Sequence, residues 1–350
     1  MMPAGAGGGA SPLILGIWDG HDAGAALLQD GSLLAAENEE RLSRRKLEIH
    51  FPERAIAACL ETAGVDPSRI RQVAASTTDV AKTLARLYPA SKERYYRLRR
   101  RLDPPSLADR LLKPLKYRVT EWPGNALTRH LSRRHLQGRL RAMGFADFEL
   151  SLFDHHLCHA AAAACFSGFD PVLVVTLDGV GDALSGSVGV LRAGRWHRLA
   201  TIAAGDSLGI FFEHVTNLLN MRELEDEGKV MALADWAVPV ADADNPLLTL
   251  FRVEGLTVRG RLRGGALKRF LAATLWRTPA ERFAGMAQRT LEYHVATLVA
   301  RAVEASGLGD VALAGGVFAN IKVNGAIRRL PGVRRCCVFP HMGDGGLAVG

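Results

Sequence analysis

The sequence predicts an α/β fold made of two copies of one unit, each built on a sheet that is followed by helices. Residues 13–37 and residues 172–199 follow the same plan. Each begins with an apolar strand that runs into Asp-Gly and continues through a turn of small residues into a second strand. Asp-Gly in the first copy and Ala-Gly in the second then lead to a third strand, as in antiparallel hairpins. The repeat therefore predicts two lobes of similar topology.

Helical and strand-like patterns complete both units. In the first unit we predict helices over 52–63 and 154–166, the latter capped by Asp154, and strands over 70–76 and 149–153. In the second unit we predict helices over 207–219, 290–305 and 317–329, and strands over 311–314 and 335–339. The predicted division is a flexible tail at 1–12, a first lobe at 13–168 and a second lobe at 169–350.

Composition is that of an ordinary globular protein. Of the 350 residues, 48% are hydrophobic and 23% are charged, and the mean hydropathy is +0.05. No apolar run reaches the ~20 residues of a membrane helix, and the first residues lack the pattern of a signal peptide. The five cysteines form no CxxC pair. We therefore expect a cytoplasmic protein that does not bind membranes.

One segment makes the chain basic. The formal net charge is +8, but residues 92–141 alone contain 15 Lys/Arg against 4 Asp/Glu. The segment lies in a predicted helical insertion at about 85–145, with two helical stretches broken by Pro104 and Pro105. Its charge and its tyrosines are compatible with nucleic-acid binding. Because no nucleic-acid motif accompanies them, we favour a solvated face or one that docks elsewhere on the protein.

The motif DHHLCH at 154–159 predicts metal binding. His155 and His159 are four residues apart, so on a helix they project from one face and can share an ion. Position 156 is His, where a zinc protease of the HExxH type requires Glu. For this motif alone, a helix start with surface histidines remains the alternative.

A second cluster lies near the end of the sequence. Gly315 and Gly316 occupy a strand-to-helix turn where a ribose or phosphate can approach the backbone. Asn320 and Asn324 are predicted on one face of the next helix. Asp344 lies between glycines and is well placed as a carboxylate ligand. Two imidazoles and one carboxylate suit iron(II), manganese or zinc and leave positions open for substrate oxygens.

The two Asp-Gly turns, Asp19-Gly20 and Asp178-Gly179, resemble those of the actin, sugar-kinase and Hsp70 superfamily. In that fold the turns face each other across a cleft and hold the phosphates and metal of a nucleotide. Glycine permits close approach to phosphate oxygens, and the carboxylate holds a cation or a water. The resemblance implies a duplicated fold of that superfamily with a nucleotide cleft between its lobes.

Successive blocks of the sequence resemble the O-carbamoyltransferase family, which includes nodulation-factor, cephamycin and aminoglycoside carbamoyltransferases. The first domain of that family is similar to the catalytic subunit of tRNA threonylcarbamoyladenosine synthase. The blocks are DGHDAGAAL, NEERLSRRK, DHHLCHAAAA, TLDGVGD, SLGIFFEHVT, ELEDEGKVMALA, LAGGVFANIKVN and FPHMGDGGLAVG.

The resemblance implies a role for each matching residue. His155, His159 and Asp344 would hold a divalent metal, iron(II) in the first instance. Asp19, Gly20 and His21 would lie at the transfer centre, where His21 would position or deprotonate the acceptor. The remaining positions would contact the nucleotide: Asp178, Gly179, Gly181, Asp182, Glu227, Gly228, Lys229, Gly315, Gly316 and Asn320.

The implied reaction uses ATP and carbamoyl phosphate to form carbamoyl-adenylate. The carbamoyl group then passes to a hydroxyl of a small-molecule or sugar-containing acceptor. In the family a further domain resembling threonylcarbamoyl-AMP synthase makes the adenylate. The sequence stops soon after Asp344, so we expect the second lobe to be truncated, that domain to be missing from the sequence, and the chain by itself to be inactive for lack of the adenylate-forming step. The missing domain would then be supplied by a further part of the same protein (in cis) or by a separate protein (in trans).

Two other functions remain open at this stage. One is an ATP-dependent, kinase-like enzyme of the same superfamily, although sugar kinases do not need the HxxxH motif. The other is a non-catalytic protein that binds nucleotide or, through residues 92–141, nucleic acid.

Overall fold

Two five-stranded mixed sheets form the framework of the protein. The computed structural model describes residues 12–107, 109 and 118–350. The first sheet contains β1 (Ile14–Trp18), β2 (Gly24–Gln29), β3 (Ser32–Asn38), β4 (Gln72–Ser76) and β5 (Glu149–Phe153). The second contains β6 (Val172–Gly181), β7 (Leu184–Arg192), β8 (Arg195–Ala203), β11 (Asp310–Ala314) and β12 (Arg335–Val338), while β9 (Phe251–Glu254) and β10 (Thr257–Gly260) form a separate hairpin.

The two sheets have the same topology. Their strand orders are β3-β2-β1-β4-β5 and β8-β7-β6-β11-β12. In each, the first three strands in sequence pair antiparallel. The fourth strand, β4 or β11, pairs parallel to the first, and the fifth, β5 or β12, pairs parallel to the fourth. The predicted duplication is therefore confirmed at the level of strand pairing. A bulge in β6 between Leu177 and Gly181 interrupts the ladder where Asp178 and Gly179 lie.

Helices follow or separate these strands. They are α1 (Glu39–Ser43), α2 (Glu53–Ala63), α3 (Val80–Leu87), α4 (Pro89–Arg99), α5 (Ala126–Ala142), α6 (His155–Ser167), α7 (Leu208–Leu218), α8 (Glu227–Leu233), α9 (Gly264–Trp276), α10 (Ala280–Ser306) and α11 (Ile321–Arg328). Within the described residues, no helix is both long enough and apolar enough to cross a membrane.

Two helices differ from the predicted bounds. Helix α10 begins at Ala280 instead of 290, because Phe283, Ala284 and Met286 extend its buried face toward the N-terminus. The predicted helix at 317–329 is divided into a 3-10 turn and α11. Asn320 makes the break, since its side chain caps α11 by accepting the N–H groups of Lys322 and Val323.

The lobes exchange segments where the cleft lies. Helix α6 follows the first sheet in sequence, yet its alanines Ala160 and Ala163 pack on Val174 and Ala312 of the second sheet. Conversely, Leu347 near the end of the sequence packs on Trp18 and Ala26 of the first sheet. The predicted boundary at 168 therefore divides the chain between the two sheets, but segments on either side of it pack on the sheet of the other lobe. The small alanine side chains let α6 approach the sheet closely.

The basic insertion lies between β4 and β5 and docks on the second lobe. Arg99 of α4 pairs with Glu213 and Glu223, and Arg100 pairs with Glu225. Of the two predicted alternatives, the structure shows the one in which the insertion docks on another part of the protein. Acidic side chains of the second lobe pair with much of the positive charge at its start. Most of its second predicted helical stretch, and the predicted tail up to residue 11, lie outside the described residues.

Candidate metal and transfer site

Four side chains from separate elements converge in the cleft. His155 and His159 lie on the first two turns of α6, which Asp154 caps because its carboxylate accepts the N–H of Leu157. Asp178 comes from the β6 bulge, and Asp344 begins a 3-10 turn after β12. One ligand atom from each of the four lies within 4.8 Å of the others. The structure thus joins Asp178 to the three residues predicted as ligands.

The distances fit a site that encloses a cation. His155 Nε2 lies 3.2 Å from Asp178 Oδ2 and 3.4 Å from Asp344 Oδ1. His159 Nε2 lies 3.5 Å from each of the same two oxygens. This nitrogen is buried and makes no hydrogen bond among the described residues, which is costly unless another partner binds it. His156, as predicted, points elsewhere and contacts Thr176.

The electrostatics of the group favour positive charge. Burial alone lowers the pKa of His155, but the carboxylates of Asp344 and Asp178 outweigh it and raise that pKa to about 9. Burial alone raises the pKa of Asp178, but His155 and His159 outweigh it and hold that pKa well below its ordinary value. Two carboxylates facing two imidazoles suit a divalent cation such as iron(II), manganese or zinc.

Neighbouring groups fix the orientation of His155. Its Nδ1 lies 3.2 Å from the Thr77 hydroxyl, and its backbone N–H donates to Asp182 Oδ2 at 2.8 Å. Gly181 passes directly beside the ring, because a Cβ at that position would lie 2.2 Å from His155 Cγ. Such outer contacts set the direction in which a ligand nitrogen points.

His21 stands at the edge of the same group. Its Nδ1 lies 3.4 Å from Asp344 Oδ2 and 3.1 Å from the hydroxyl of Tyr96. Its backbone carbonyl accepts the indole N–H of Trp18 at 2.8 Å. Burial lowers the pKa of His21 more than Asp344 and Asp178 raise it. Tyr96 belongs to α4, so the basic insertion contributes directly to this centre.

The Asp19 carboxylate forms ion pairs with basic side chains of the first lobe. Arg86 donates to both carboxylate oxygens, at 2.8 and 3.0 Å, and Lys82 Nζ lies 2.8 Å from Oδ1. Lys92 Nζ donates to the Asp19 carbonyl at 2.8 Å. Burial raises the pKa of Asp19, but Arg86 and Lys82 outweigh it and hold the pKa well below its ordinary value. The structure thus places the Asp19 side chain in an ion cluster next to His21.

Two cavities meet at this centre. The larger, of about 560 Å³, is lined by the insertion helices and by the turns after β1 and β4. The smaller, of about 250 Å³, lies between the Asp178 turn, α7, α8 and the Gly316 turn. His21 and Asp344 line both cavities. A molecule in either cavity would therefore reach the same pair of side chains.

Comparison with known sequences places the chain in a family. The family described as Carbamoyltransferase N-terminus matches residues 13–350. The chain belongs to this carbamoyltransferase family. It is 29% identical over 336 residues to Nodulation protein NolNO of Sinorhizobium fredii, covering 94% of this chain and 45% of that protein. It is 27% identical over 348 residues to an uncharacterized protein of Methanocaldococcus jannaschii, covering 97% and 56%. The chain thus spans about half the length of the curated relatives it matches.

A solved structure agrees on the fold. Component A of the (R)-2-hydroxyglutaryl-CoA dehydratase of Acidaminococcus fermentans superposes with a TM-score of 0.50 and 16% identity. The match covers 97% of this chain and 96% of that one. At this identity the likeness concerns fold alone. Together with the duplicated sheets, it confirms the predicted two-lobed fold of the actin, sugar-kinase and Hsp70 type.

The residues that the family resemblance assigned to the nucleotide divide between the two cavities. The smaller cavity is lined by Asp178, Gly179, Glu227, Gly228, Gly316 and Asn320. Gly181 lines the larger one instead, together with Gly20 from the turn assigned to the transfer centre. The N–H of Gly316 donates to Asp178 Oδ1 at 3.0 Å, which holds that carboxylate in place.

Three assigned residues have other surroundings. The Asp182 carboxylate accepts the backbone N–H groups of Thr78, Asp79 and His155, so it joins the lobes. Gly315 has φ +104°, and a Cβ there would lie 2.1 Å from the Leu177 carbonyl oxygen; its role is close backbone packing. Lys229 pairs with Asp226 and its side chain is 69% exposed.

Other site residues were not predicted. Glu213 lines the smaller cavity, and although Arg99 lowers its pKa, burial outweighs this and raises it to about 8. A lone acid within the apolar run LGIFFEHV was the available signal for it. Tyr96, Thr77 and Lys82 left no such signal, because only tertiary packing brings them to the centre.

Proposed function

We propose that this chain performs the transfer half of an ATP-dependent carbamoylation. The smaller cavity would hold the nucleotide part of carbamoyl-adenylate, and the larger would hold the hydroxyl acceptor. The carbamoyl group would lie where the cavities meet. The observation that carries the proposal is that His21 and Asp344 line both cavities.

The ligand types in the four-residue group, two imidazoles and two carboxylates, suit a divalent metal ion. The buried Nε2 of His159 makes no hydrogen bond among the described residues and faces carboxylate oxygens of Asp178 and Asp344 at 3.5 Å, an arrangement that suits a shared cation. We therefore assign His155, His159, Asp178 and Asp344 as the residues that hold the metal. When bound, such an ion would polarise the phosphate oxygens and so make the phosphate a better leaving group. Iron(II) remains our expectation from the family resemblance.

In the proposed step the acceptor oxygen attacks the carbamoyl carbon of carbamoyl-adenylate. A C–O bond to the acceptor forms, the C–O bond to the phosphate breaks, and AMP leaves. The hydroxyl proton passes to His21, whose Nδ1 is engaged by Tyr96 and Asp344, so we assign Nε2 as the base. The lysines near Asp19 keep the turn that carries His21 in place.

The donor must be made by a second activity. Carbamoyl-adenylate would come from ATP, carbamoyl phosphate and one water molecule, with pyrophosphate and phosphate as the other products. We propose that a domain in the remaining half of the family's length, in cis or in trans, supplies it. The docked arginines of the insertion give no support to the nucleic-acid alternative.

The test is carbamoyl transfer from prepared carbamoyl-adenylate to a panel of hydroxyl compounds containing 2-naphthol, glucose and kanamycin. Carbamate ester and AMP are measured in the presence of iron(II). We expect His21→Gln to lower the rate by about 100-fold, with AMP affinity unchanged. His130→Gln, at an exposed position on α5, is the matched control.

Two results would contradict the proposal. One is an ester yield that His21→Gln leaves unaltered. The other is formation of ADP and a phosphorylated acceptor from ATP without any carbamoyl donor, which would instead support the kinase-like alternative.

A further inference from the structure

The larger cavity has the chemistry of an apolar binding site. We infer that the acceptor carries its hydroxyl on a planar, mostly apolar body, and that polycationic acceptors are excluded. This inference rests on the proposed function and names the substrate class for the larger cavity.

Aromatic side chains form much of the wall. Trp18, Tyr88, Tyr95 and Tyr96 all line the cavity. The rings of Tyr95 and Tyr96 meet edge to face with centroids 5.4 Å apart, which presents surfaces at two angles. Flat aromatic walls bind planar ligands by offset stacking and by burial of apolar area. The volume of about 560 Å³ lies in the range of sites for drug-sized molecules.

Aliphatic side chains complete the wall. Leu84, Ala81 and Ala85 project from α3, and Val119 and Val180 line other parts of the wall. Leu84 and Tyr88 are 43% and 63% exposed, so an apolar ligand would cover surface that water now reaches. Covering apolar surface supplies binding energy without a specific polar partner.

The polar groups on the wall offer no partner to a cationic ligand. Lys82 and Lys92 line the cavity, and their ammonium groups are held near Asp19 at its base. Among the described lining residues, the carboxylates are Asp79 and Asp344. Asp79 accepts the backbone N–H groups of Lys82 and Asp182, and Asp344 belongs to the metal group. A polycation would therefore meet two lysine side chains already held by Asp19 and, among the described lining residues, no carboxylate left to pair with it.

Binding to the 350-residue chain tests the inference without any transfer step. Isothermal titration calorimetry compares 2-naphthol with kanamycin at matched ionic strength. We expect 2-naphthol to bind at least about tenfold more tightly than kanamycin. Ala85→Trp, which places an indole into the cavity from α3, should weaken 2-naphthol binding about tenfold or more. Leu87→Trp lies on the same helix, is 41% exposed in the native protein and is outside the lining, so it is the matched control.

The outcomes separate this inference from the proposed function. Tighter binding of kanamycin, or 2-naphthol binding that Ala85→Trp does not weaken in a protein that melts like the Leu87→Trp variant, would overturn the acceptor class. Transfer to glucose or kanamycin in the assay above would contradict the proposed acceptor class but would still support carbamoyl transfer as the function. Conversely, selective 2-naphthol binding with no ester formed from any acceptor would refute the proposed function and leave the apolar site standing.

Discussion

The carboxylate of Asp182 accepts the backbone N–H of His155 at 2.8 Å and so ties the β6–β7 turn to the start of the helix that carries His155 and His159. The other oxygen of Asp182 accepts the N–H groups of Thr78 and Asp79, at 2.9 and 3.0 Å, from the first lobe. One side chain thus connects both lobes at the floor of the cleft.

Replacing that carboxylate should loosen the cleft. In Asp182→Asn at least one of the backbone donors faces an amide N–H instead of an oxygen. We expect the free energy of unfolding to fall by about 1–3 kcal/mol. Urea unfolding followed by circular dichroism measures it. Asp66→Asn is the control, because Asp66 is exposed and accepts only from the neighbouring Ser68. Equal losses in the two variants would argue against the clamp.

Metal binding should depend on Asp178 as well as on the three other ligands. After removal of metal by a chelator, the wild-type chain should bind one iron(II) or manganese ion, measured by elemental analysis and titration. Alanine at His155, His159, Asp178 or Asp344 should each weaken binding by about 10- to 100-fold or more. His130→Ala should bind like wild type. Wild-type affinity in Asp178→Ala would remove that residue from the ligand set.

Gly181 should control the metal site although it is not a ligand. A methyl group there would lie 2.2 Å from His155 Cγ, so Gly181→Ala must displace the ring. We expect metal affinity to fall by about tenfold or more, in a chain that still folds. Gly138→Ala on α5 is the control, since a Cβ there meets nothing within 4 Å. If both variants bind metal with the same affinity, the position of the His155 ring does not depend on the close approach of Gly181.

The docked arginine of the insertion should contribute more to stability than a surface pair. Arg99 lies between Glu213 and Glu223, whose side chains are only 12% and 2% exposed. Arg99→Gln removes the guanidinium that contacts both buried carboxyl groups, and we expect a loss of about 3 kcal/mol in unfolding free energy. Arg289→Gln breaks the exposed pair with Asp242 and should cost less than about 1 kcal/mol. A difference below the error of chemical denaturation would contradict this ranking.

The buried carboxyl of Asp79 predicts a pH effect on stability. Burial and the charge of Asp182 raise its pKa from 3.8 to about 6, against the opposing effect of Lys82. Between these values the folded protein binds a proton that the unfolded chain has released, so the contribution of Asp79 to stability falls as pH rises. The unfolding free energy of wild type relative to Asp79→Asn should fall by up to ~3 kcal/mol from pH 4 to pH 7. A difference that stays constant with pH would mean that the pKa is not raised.

Part of this site could be read from local patterns. The paired Asp-Gly turns predicted the duplicated sheets, because strand alternation and turn chemistry act over a few residues. The spacing of His155 and His159 predicted a shared face of one helix, because helical periodicity decides it. Family blocks added Asp344 to the two histidines, and the structure brings the three together.

Other assignments depended on packing across the whole chain. Asp178 was predicted for the phosphate pocket, yet the β6 bulge turns it toward the histidines as well. Asp19 was predicted at the transfer centre, but Arg86 and Lys82 from α3 occupy its carboxylate. No periodicity in the sequence reports contacts made between segments some 67 residues apart.

The sequence by itself therefore determined the repeated topology, the helix that presents two histidines and the family to which the chain belongs. Tertiary structure alone decided that the basic insertion docks on the second lobe, that Tyr96 reaches His21, and that two cavities meet at one centre. The reason is physical. Turns and helical faces are set by neighbouring residues, whereas a cleft exists only once both lobes have packed and their buried charges have found partners.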